Sequence, residues 1–482
     1  MKKLIVRISF ILIAVSTLQL SAQWQNDVRL SNNPSSSLAS RDRGIAVYGN
    51  NLHVVWQDQR DGEVEVYYTR STNNGVSWGA EQRLSPVGDY SGAPTIALYQ
   101  STIHIVWMDQ RLAGLDIFYL RSTDNGTTWQ PEVQLTTDLM DSQLPSLSVS
   151  GNNVYLAWDD NRHPPNKEIY FRRSTNAGLN WSSEMRLTND TMLSNDVSIA
   201  STGQNLHLAW VSGTGNSEIY YRRSTNGGVY WLTEQRLTND PAISFYPCVA
   251  VSGQNINLFW SDSRDGNYEI YFKRSTDGGI AWSADSRLTN AAGNSLIPGA
   301  VVFGQMIGLV WSDLRTNFYK VFYKASTNGG LNWSTDLMIS PPENFGYANN
   351  SSIDISDSSL HVVWEDARHG SPEIYYRKNI LGTPVAVTPV NGEIPSSYSL
   401  SQNYPNPFNP VTNIKFSIPK AGLVKLTVFD VLGREVSVLV NEVKTAGSFI
   451  ADLDASMFSS GVYFYRLESN NFVETKKMLL VR

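Results

Sequence analysis

Ser71-Thr72-Asn73-Asn74-Gly75-Val76-Ser77-Trp78 returns as Ser122 to Trp129, Ser174 to Trp181, Ser224 to Trp231, Ser275 to Trp282 and Ser326 to Trp333, with the tryptophans 50 to 52 residues apart. Six copies of Ser-x-Asp/Asn-x-Gly-x-x-Trp at fixed phase define a repeat of one supersecondary unit. Ahead of each copy runs a second motif, Trp-x-Asp-x-Arg, centred on Trp56, Trp107, Trp158, Trp210, Trp260, Trp311 and Trp364, which makes seven units. Between the motifs lie aromatic, β-branched segments such as Glu168-Ile169-Tyr170-Phe171, the composition of buried strands.

One unit holds four strands, exemplified by Pro94 to Tyr99, Ile103 to Trp107, Asp116 to Arg121 and Val133 to Thr136. Four strands in about 51 residues is the size of a propeller blade. The seventh unit ends after its third strand, near Lys378. Trp24 stands five residues before Arg29-Leu30-Ser31, the offset of Trp78 from Arg83-Leu84-Ser85. The N-terminal segment is therefore expected to supply the missing outer strand and close the ring, which removes two free sheet edges. The expected fold is all-β: a propeller of about seven blades over 23–380, a Pro-bearing linker over 381–397, and a small Ig-like sandwich over 398–482.

Lys2, Lys3 and Arg7 precede an apolar run from Ile8 to Leu20, and Leu20-Ser21-Ala22 offers a small residue at a cleavage position, so 1–22 reads as a secretory signal peptide. Without it the formal charge moves from -6 to about -9, and no basic patch remains for nucleic acid or an anionic membrane. The single cysteine, Cys248, is expected as a small buried side chain in an apolar strand. No pattern calls for a metal or a cofactor, and His53, His104, His207 and His361, each three residues before a motif tryptophan, read as strand positions.

The Ser-to-Trp motif resembles the Asp-box of the bacterial neuraminidase repeat, the sialidase-like propellers, over residues 24 to about 380. In that family the box is the hairpin between a blade's third and fourth strands, on the face away from the active site. Asn73, Asn176, Asn226 and Asn328 replace the aspartate that Asp124 and Asp277 retain, as a turn cap permits. The resemblance puts Trp-x-Asp-x-Arg on the ligand-facing side. Its candidates are Asp58 with Arg60, Asp109 with Arg111, Asp160 with Arg162, Asp262 with Arg264, Asp313 with Arg315 and Asp366 with Arg368. The fourth unit loses both members together, as Ser212 and Thr214, which marks them as partners: ion pairs bracing turns, or a charged ring for ligand.

A sialidase requires three converging arginines, a tyrosine nucleophile with its glutamate, and an acid-base aspartate, a set that breaks blade symmetry. The family's Arg-Ile-Pro signature is absent, its nearest string being Leu296-Ile297-Pro298. The departures from symmetry lie instead in the longer third turn (Arg162-His163-Pro164-Pro165), the small fourth turn (Ser212 to Gly215), and loop aromatics that include Tyr90, Phe245, Tyr246, Phe345 and Tyr347. Tyr246 and Tyr347 join the ligand candidates: such loop aromatics serve either as platforms for a sugar ring or as plugs for the end of the channel.

The C-terminal segment closely resembles the sorting domain of type IX secretion: Asn403 to Pro410, Val428-Phe429-Asp430-Val431-Leu432-Gly433-Arg434-Glu435, Ser460 to Tyr465, and the ending Lys476 to Arg482. By that resemblance 398–482 addresses the chain through the periplasm to the type IX machinery, leaving the propeller released or attached to surface polysaccharide. The leading functional expectation is a non-enzymatic secreted or surface propeller that binds a glycan or another surface macromolecule. A sialidase-like exo-glycosidase stands second and a purely structural surface protein third.

Overall fold

In the computed structural model the described residues are 23–481 apart from 41–42, 113, 190, 343–345, 357–358, 381–387, 392–394, 456–457, 459 and 471. The signal-peptide segment 1–22, Phe345 and most of the linker segment lie outside them. The chain divides into two compact units, Gln23–Leu381 and the C-terminal unit from Gly382.

The first unit is built from seven antiparallel sheets, each with four strand positions from the inside out. The inner position of the first is split into Ser37–Ala39 and Ile45–Tyr48 and the outer position of the seventh into two short strands, so these two sheets count five strands and the other five count four. The second blade is representative: Ser91–Tyr99, Thr102–Asp109, Asp116–Ser122 and Val133–Gln134. The seventh blade takes Ala348–Ser356, Ser359–Asp366 and Glu373–Ile380 from one end of the sequence and Gln23–Trp24 with Val28–Arg29 from the other. Gln23 pairs with Ile380 and Val28 with Tyr376. The ring is closed by backbone pairing, as the Trp24 register predicts.

Blades hold one another through aromatic edges. Each box tryptophan meets an aromatic ring on the third strand of the preceding blade edge-on: Trp129 on Tyr68, Trp181 on Tyr119, Trp282 on Tyr221 and Trp78 on Tyr376. Trp24 does the same to Tyr323 at 5.1 Å between ring centroids, so the N-terminal segment supplies both the strand and the ring contact of a complete blade. Such pairs contribute beyond their area. Four of these tyrosines also reach a buried histidine on the second strand, with His53, His104, His207 and His361 Nδ1 2.7 to 2.8 Å from the hydroxyl.

The boxes show why the turn needs its residues. Asn176 Oδ1 accepts from the Asn180 amide, and Ser174 Oγ accepts from the Gly178 amide. Gly178 has φ +78°, and a Cβ there would lie 1.8 Å from the Tyr119 hydroxyl. Gly178→Ala therefore meets both a left-handed backbone and a ring held by His104, and is expected to lower the melting temperature with a cost of about 2 kcal/mol or more. A thermal melt indistinguishable from the parent would show that the box packs differently.

The C-terminal unit is a sandwich of two four-stranded sheets around one core that includes Phe416, Leu426, Phe449, Tyr465 and Met478. Tyr465 joins its two most distinctive motifs: its hydroxyl accepts from the Asn403 amide and donates to the Ser401 carbonyl, both at 2.8 Å. Residues 388–391, expected as linker, instead form an edge strand, Thr388–Asn391, paired to Gly447–Asp454. Pro389 misled the reading, since proline is excluded from central strands yet accepted at an edge.

Candidate functional site

Each Trp-x-Asp-x-Arg motif forms a clamp inside its own blade. In the third blade, Asp160 accepts from Trp158 Nε1 at 2.8 Å, Ser142 Oγ at 3.0 Å, the Arg162 amide at 3.0 Å, and Arg162 Nε and Nη2 at 2.7 and 2.6 Å. The guanidinium lies 4.2 Å above the Tyr170 ring and continues to Glu184, just ahead of the outer strand Met185–Arg186, at 2.5 Å. The aspartate is fully buried. The same arrangement recurs at Asp58 with Arg60, Asp109 with Arg111, Asp262 with Arg264, Asp313 with Arg315 and Asp366 with Arg368. Burial alone would raise the carboxyls of Asp58, Asp109, Asp160, Asp262 and Asp313, but the hydrogen bonds from arginine, tryptophan and serine outweigh it and hold them below the usual range.

Sequence reasoning missed the outer acid, although it stands three residues after every box tryptophan: Glu81, Glu132, Glu184, Glu234, Asp285, Asp336, and Asp27 after Trp24. The fourth blade supplies the internal control. Ser212 and Thr214 stand in for Asp and Arg, and Trp210 Nε1 is a buried donor without a hydrogen-bond acceptor.

At the mouth of the central channel the backbone repeats in blades two to seven while the side chains differ from blade to blade. The inner strands of blades two to seven each carry a one-residue bulge. Its first residue is left-handed without being glycine: Ala93, Leu144, Asp196, Tyr246, Ile297 and Asn350, with φ between 47° and 56°. That conformation is strained, most of all for β-branched Ile297, and bulges re-aim side chains. The residue between Trp and Asp in the motif reaches across to brace the next blade here. Glu365 accepts from the Ala39 amide at 2.9 Å, Gln57 from Ala93 at 3.1 Å, Asp159 from Asp196 at 3.0 Å, and Ser261 from Ile297 at 3.3 Å.

These bulges line a cleft of about 290 Å³. Of the ligand candidates read from sequence, Tyr246 lines it, packed edge-on against Phe245 at 4.3 Å between ring centroids. Tyr90 also lines it, whereas Tyr347 and the clamp residues do not. In the first blade the inner strand is split into Ser37–Ala39 and Ile45–Tyr48, and Arg43 between them reaches across the channel, donating to the Leu147 carbonyl at 3.0 Å and the Ile199 carbonyl at 2.9 Å. Cys248, expected buried, is half-buried and lines both channel and cleft; it packs at the margin of the core cluster that includes Phe259 and Trp311, on an innermost strand whose edge borders the channel. Among the described residues no group of three His, Cys, Asp or Glu side chains could hold a metal ion.

Residues 152–368 match the BNR repeat-like domain and residues 402–481 the secretion system C-terminal sorting domain. The ring is a BNR-repeat propeller, and the C-terminal unit is a type IX sorting domain. Among solved structures the BNR propeller resembles a polysaccharide lyase of a new family, an ulvan lyase bound to -[GlcA(1-4)Rha3S]-, with 13% identity, a TM-score of 0.55, and coverage of 73% of this chain and 95% of that one. The phage phi92 endosialidase follows at 9% identity and TM-score 0.49, covering 94% and 79%. At these identities the likeness to the lyase is one of fold. No curated protein matches the chain.

The BNR propeller buries titratable groups of both kinds. Burial lowers His53 and His207 to about 4 and His104 and His361 to about 3. Because their folded pKa is depressed, the stability they contribute is present above the ordinary histidine value and lost as pH falls through the folded one. Burial raises Asp159 to about 8, helped by the Asp196 charge, and Glu365 to about 7. Those raised carboxyls contribute stability that is full below the ordinary carboxylate range and lost as pH rises through 7 to 8. Thermal stability should therefore peak at about pH 6 to 7, and Asp159→Asn should flatten the alkaline limb. An unchanged alkaline limb in that variant would contradict the assignment.

Proposed function

We propose that the propeller, exported by the type IX system to the cell surface or beyond, binds a glycan in the cleft at its channel mouth. The observation that carries this is the concentration of strain and asymmetry there. Six bulged inner strands hold side chains in costly conformations, around a cleft with two tyrosines, three prolines and a few convergent polar groups, which is the make-up of a ligand site. Aromatic faces beside polar side chains suit a sugar ring. The sorting-domain match supports export, and among the described residues no helix is long and apolar enough to cross a membrane. The propeller's fold likeness is to a polysaccharide lyase bound to -[GlcA(1-4)Rha3S]-, which is consistent with this reading.

A second reading, a glycoside hydrolase, draws on Asp159 and Glu365, two buried carboxyls whose pKa lies near neutrality, as general acids do. Against a sialidase-like mechanism stands the engagement of the six motif arginines, each paired to the aspartate of its own blade.

Calorimetric titration of oligosaccharides into the mature chain tests the reading. Tyr246→Ala is expected to weaken binding about tenfold, and Leu331→Ala, exposed on the box turn, to leave it unchanged. A bulky maleimide on Cys248, the single thiol of the chain, should abolish binding. Full affinity after labelling would place the ligand elsewhere. Release of reducing ends that stops in Glu365→Gln would favour the hydrolase.

A further inference from the structure

The charges around the cleft restrict what it can hold, if the reading of it as a glycan site is right. Two of its lining residues ionise as acids, Asp196 and Glu365, and among the described residues no lysine, arginine or histidine lines it. Asp159 lies buried behind the Asp196 amide, with its Oδ1 lacking a hydrogen-bond partner. Asp354 lines the channel that leads from the cleft.

Among the described residues the cations nearest the cleft are committed elsewhere. Lys167 Nζ, which faces Asp159, donates to Gln143 Oε1 at 2.7 Å. Arg43 lines the channel rather than the cleft, and its two terminal nitrogens donate to the Leu147 and Ile199 carbonyls. Arg162 is bound to Asp160, Glu184 and Asp138. Arg41 and Asp42, whose placement is outside the described residues, cancel in formal charge.

Recognition of a carboxylate or sulfate requires a guanidinium fork, an ammonium or a cluster of backbone amides aimed at it. In this cleft the Ala39, Ala93, Asp196 and Ile297 amides that face the mouth are already spent on the neighbouring blade's side chains. An anionic sugar would instead bring acceptor oxygens against Asp196 and Glu365, whose carboxyl oxygens are acceptors themselves, with no cationic donor among the described lining residues. Sugar hydroxyls are donors, and carboxyl oxygens accept them. The Asn350 and Gln57 amides and the Tyr90 and Tyr246 hydroxyls add further polar partners, while Pro145, Pro247 and Pro298 offer flat apolar surface.

We propose that the cleft selects a neutral glycan, free of carboxylate and sulfate groups, whose hydroxyls donate to Asp196 and Glu365 while a ring face rests on Tyr246. It rests on the glycan reading above, and the test separates the two. The mature full chain is titrated with neutral hexasaccharides (xylohexaose, mannohexaose, cellohexaose, chitohexaose) and with anionic ones of the same length, oligogalacturonate and α2,8-oligosialate.

The expected result is binding of at least one neutral hexasaccharide, at least tenfold tighter than either anionic one. Asp196→Asn with Glu365→Gln keeps side-chain size but replaces one acceptor oxygen of each carboxyl by an NH2 donor. It should weaken the neutral ligand about fivefold and narrow the gap to the anionic ones, with the melting temperature checked alongside. Asp196→Asn alone serves if the double variant does not fold. An anionic hexasaccharide that binds as tightly as the best neutral one, and is lost in Tyr246→Ala, overturns the neutral class and keeps the glycan reading. Failure of both panels to bind overturns the glycan reading itself.

Discussion

A mature chain lacking residues 23–31 is expected to lose its cooperative melt and to aggregate, while the chain beginning at residue 23 folds. The deletion removes the strands that pair with Glu373–Ile380, the Trp24 edge on Tyr323, and the Asp27 partner of Arg368. It also strands Glu373, a fully buried carboxylate held by Arg29 Nη2 at 2.5 Å, by Ser31 Oγ and by the Asn33 amide. An uncompensated buried charge costs about 3 to 5 kcal/mol, and the exposed strand edge invites association. Trp24→Ala keeps the strands and loses the half-buried ring, at a cost of about 2 to 3 kcal/mol. Size-exclusion chromatography and a thermal melt read both variants. A deletion variant that stays monomeric and melts within a few degrees of the parent would show that the ring does not depend on its N-terminal strand.

The clamp gives the second large effect. Asp160→Ala leaves Arg162 facing Glu184 and Asp138 without its central partner and strips acceptors from Trp158, Ser142 and the Arg162 amide. The expected loss is about 3 to 5 kcal/mol. Asp160→Ser with Arg162→Thr copies what the fourth blade carries at Ser212 and Thr214 and should cost less, about 1 to 3 kcal/mol, chiefly the unsatisfied indole N–H. Chemical denaturation of the two variants measures the difference. A double variant less stable than the single one would mean that aspartate and arginine act independently.

The ring was legible in the sequence because blade packing repeats. The seven motif tryptophans sit fully buried at equivalent second-strand positions, and fixed spacing follows from fixed blade geometry. Joint loss of aspartate and arginine in the fourth unit revealed the pair, since a buried charge does not survive its partner. The outer acid was equally periodic, at Trp+3, but its role depends on the third strand passing beneath the arginine, which spacing alone does not convey.

The cleft was largely hidden. Its decisive feature is backbone, a left-handed bulge at residues such as Leu144, Asp196 and Ile297 that belong to no left-handed pattern in sequence. The residue between Trp and Asp varies from Gln57 to Met108, Asp159 and Glu365. It reads as filler until the neighbouring blade is placed against it. Tyr246 was reached from the aromatic composition of its loop, whereas Tyr347, chosen by the same signal, lies outside the cleft lining.

The central claim is that function sits at the bulged channel mouth, and a crystal structure of the mature chain with the tightest-binding oligosaccharide tests it most directly. The account predicts density for the sugar against Tyr246, Asp196 and Glu365, within the cleft of about 290 Å³. Density on the box face, or at the clamp arginines at the ends of the second strands, would contradict it.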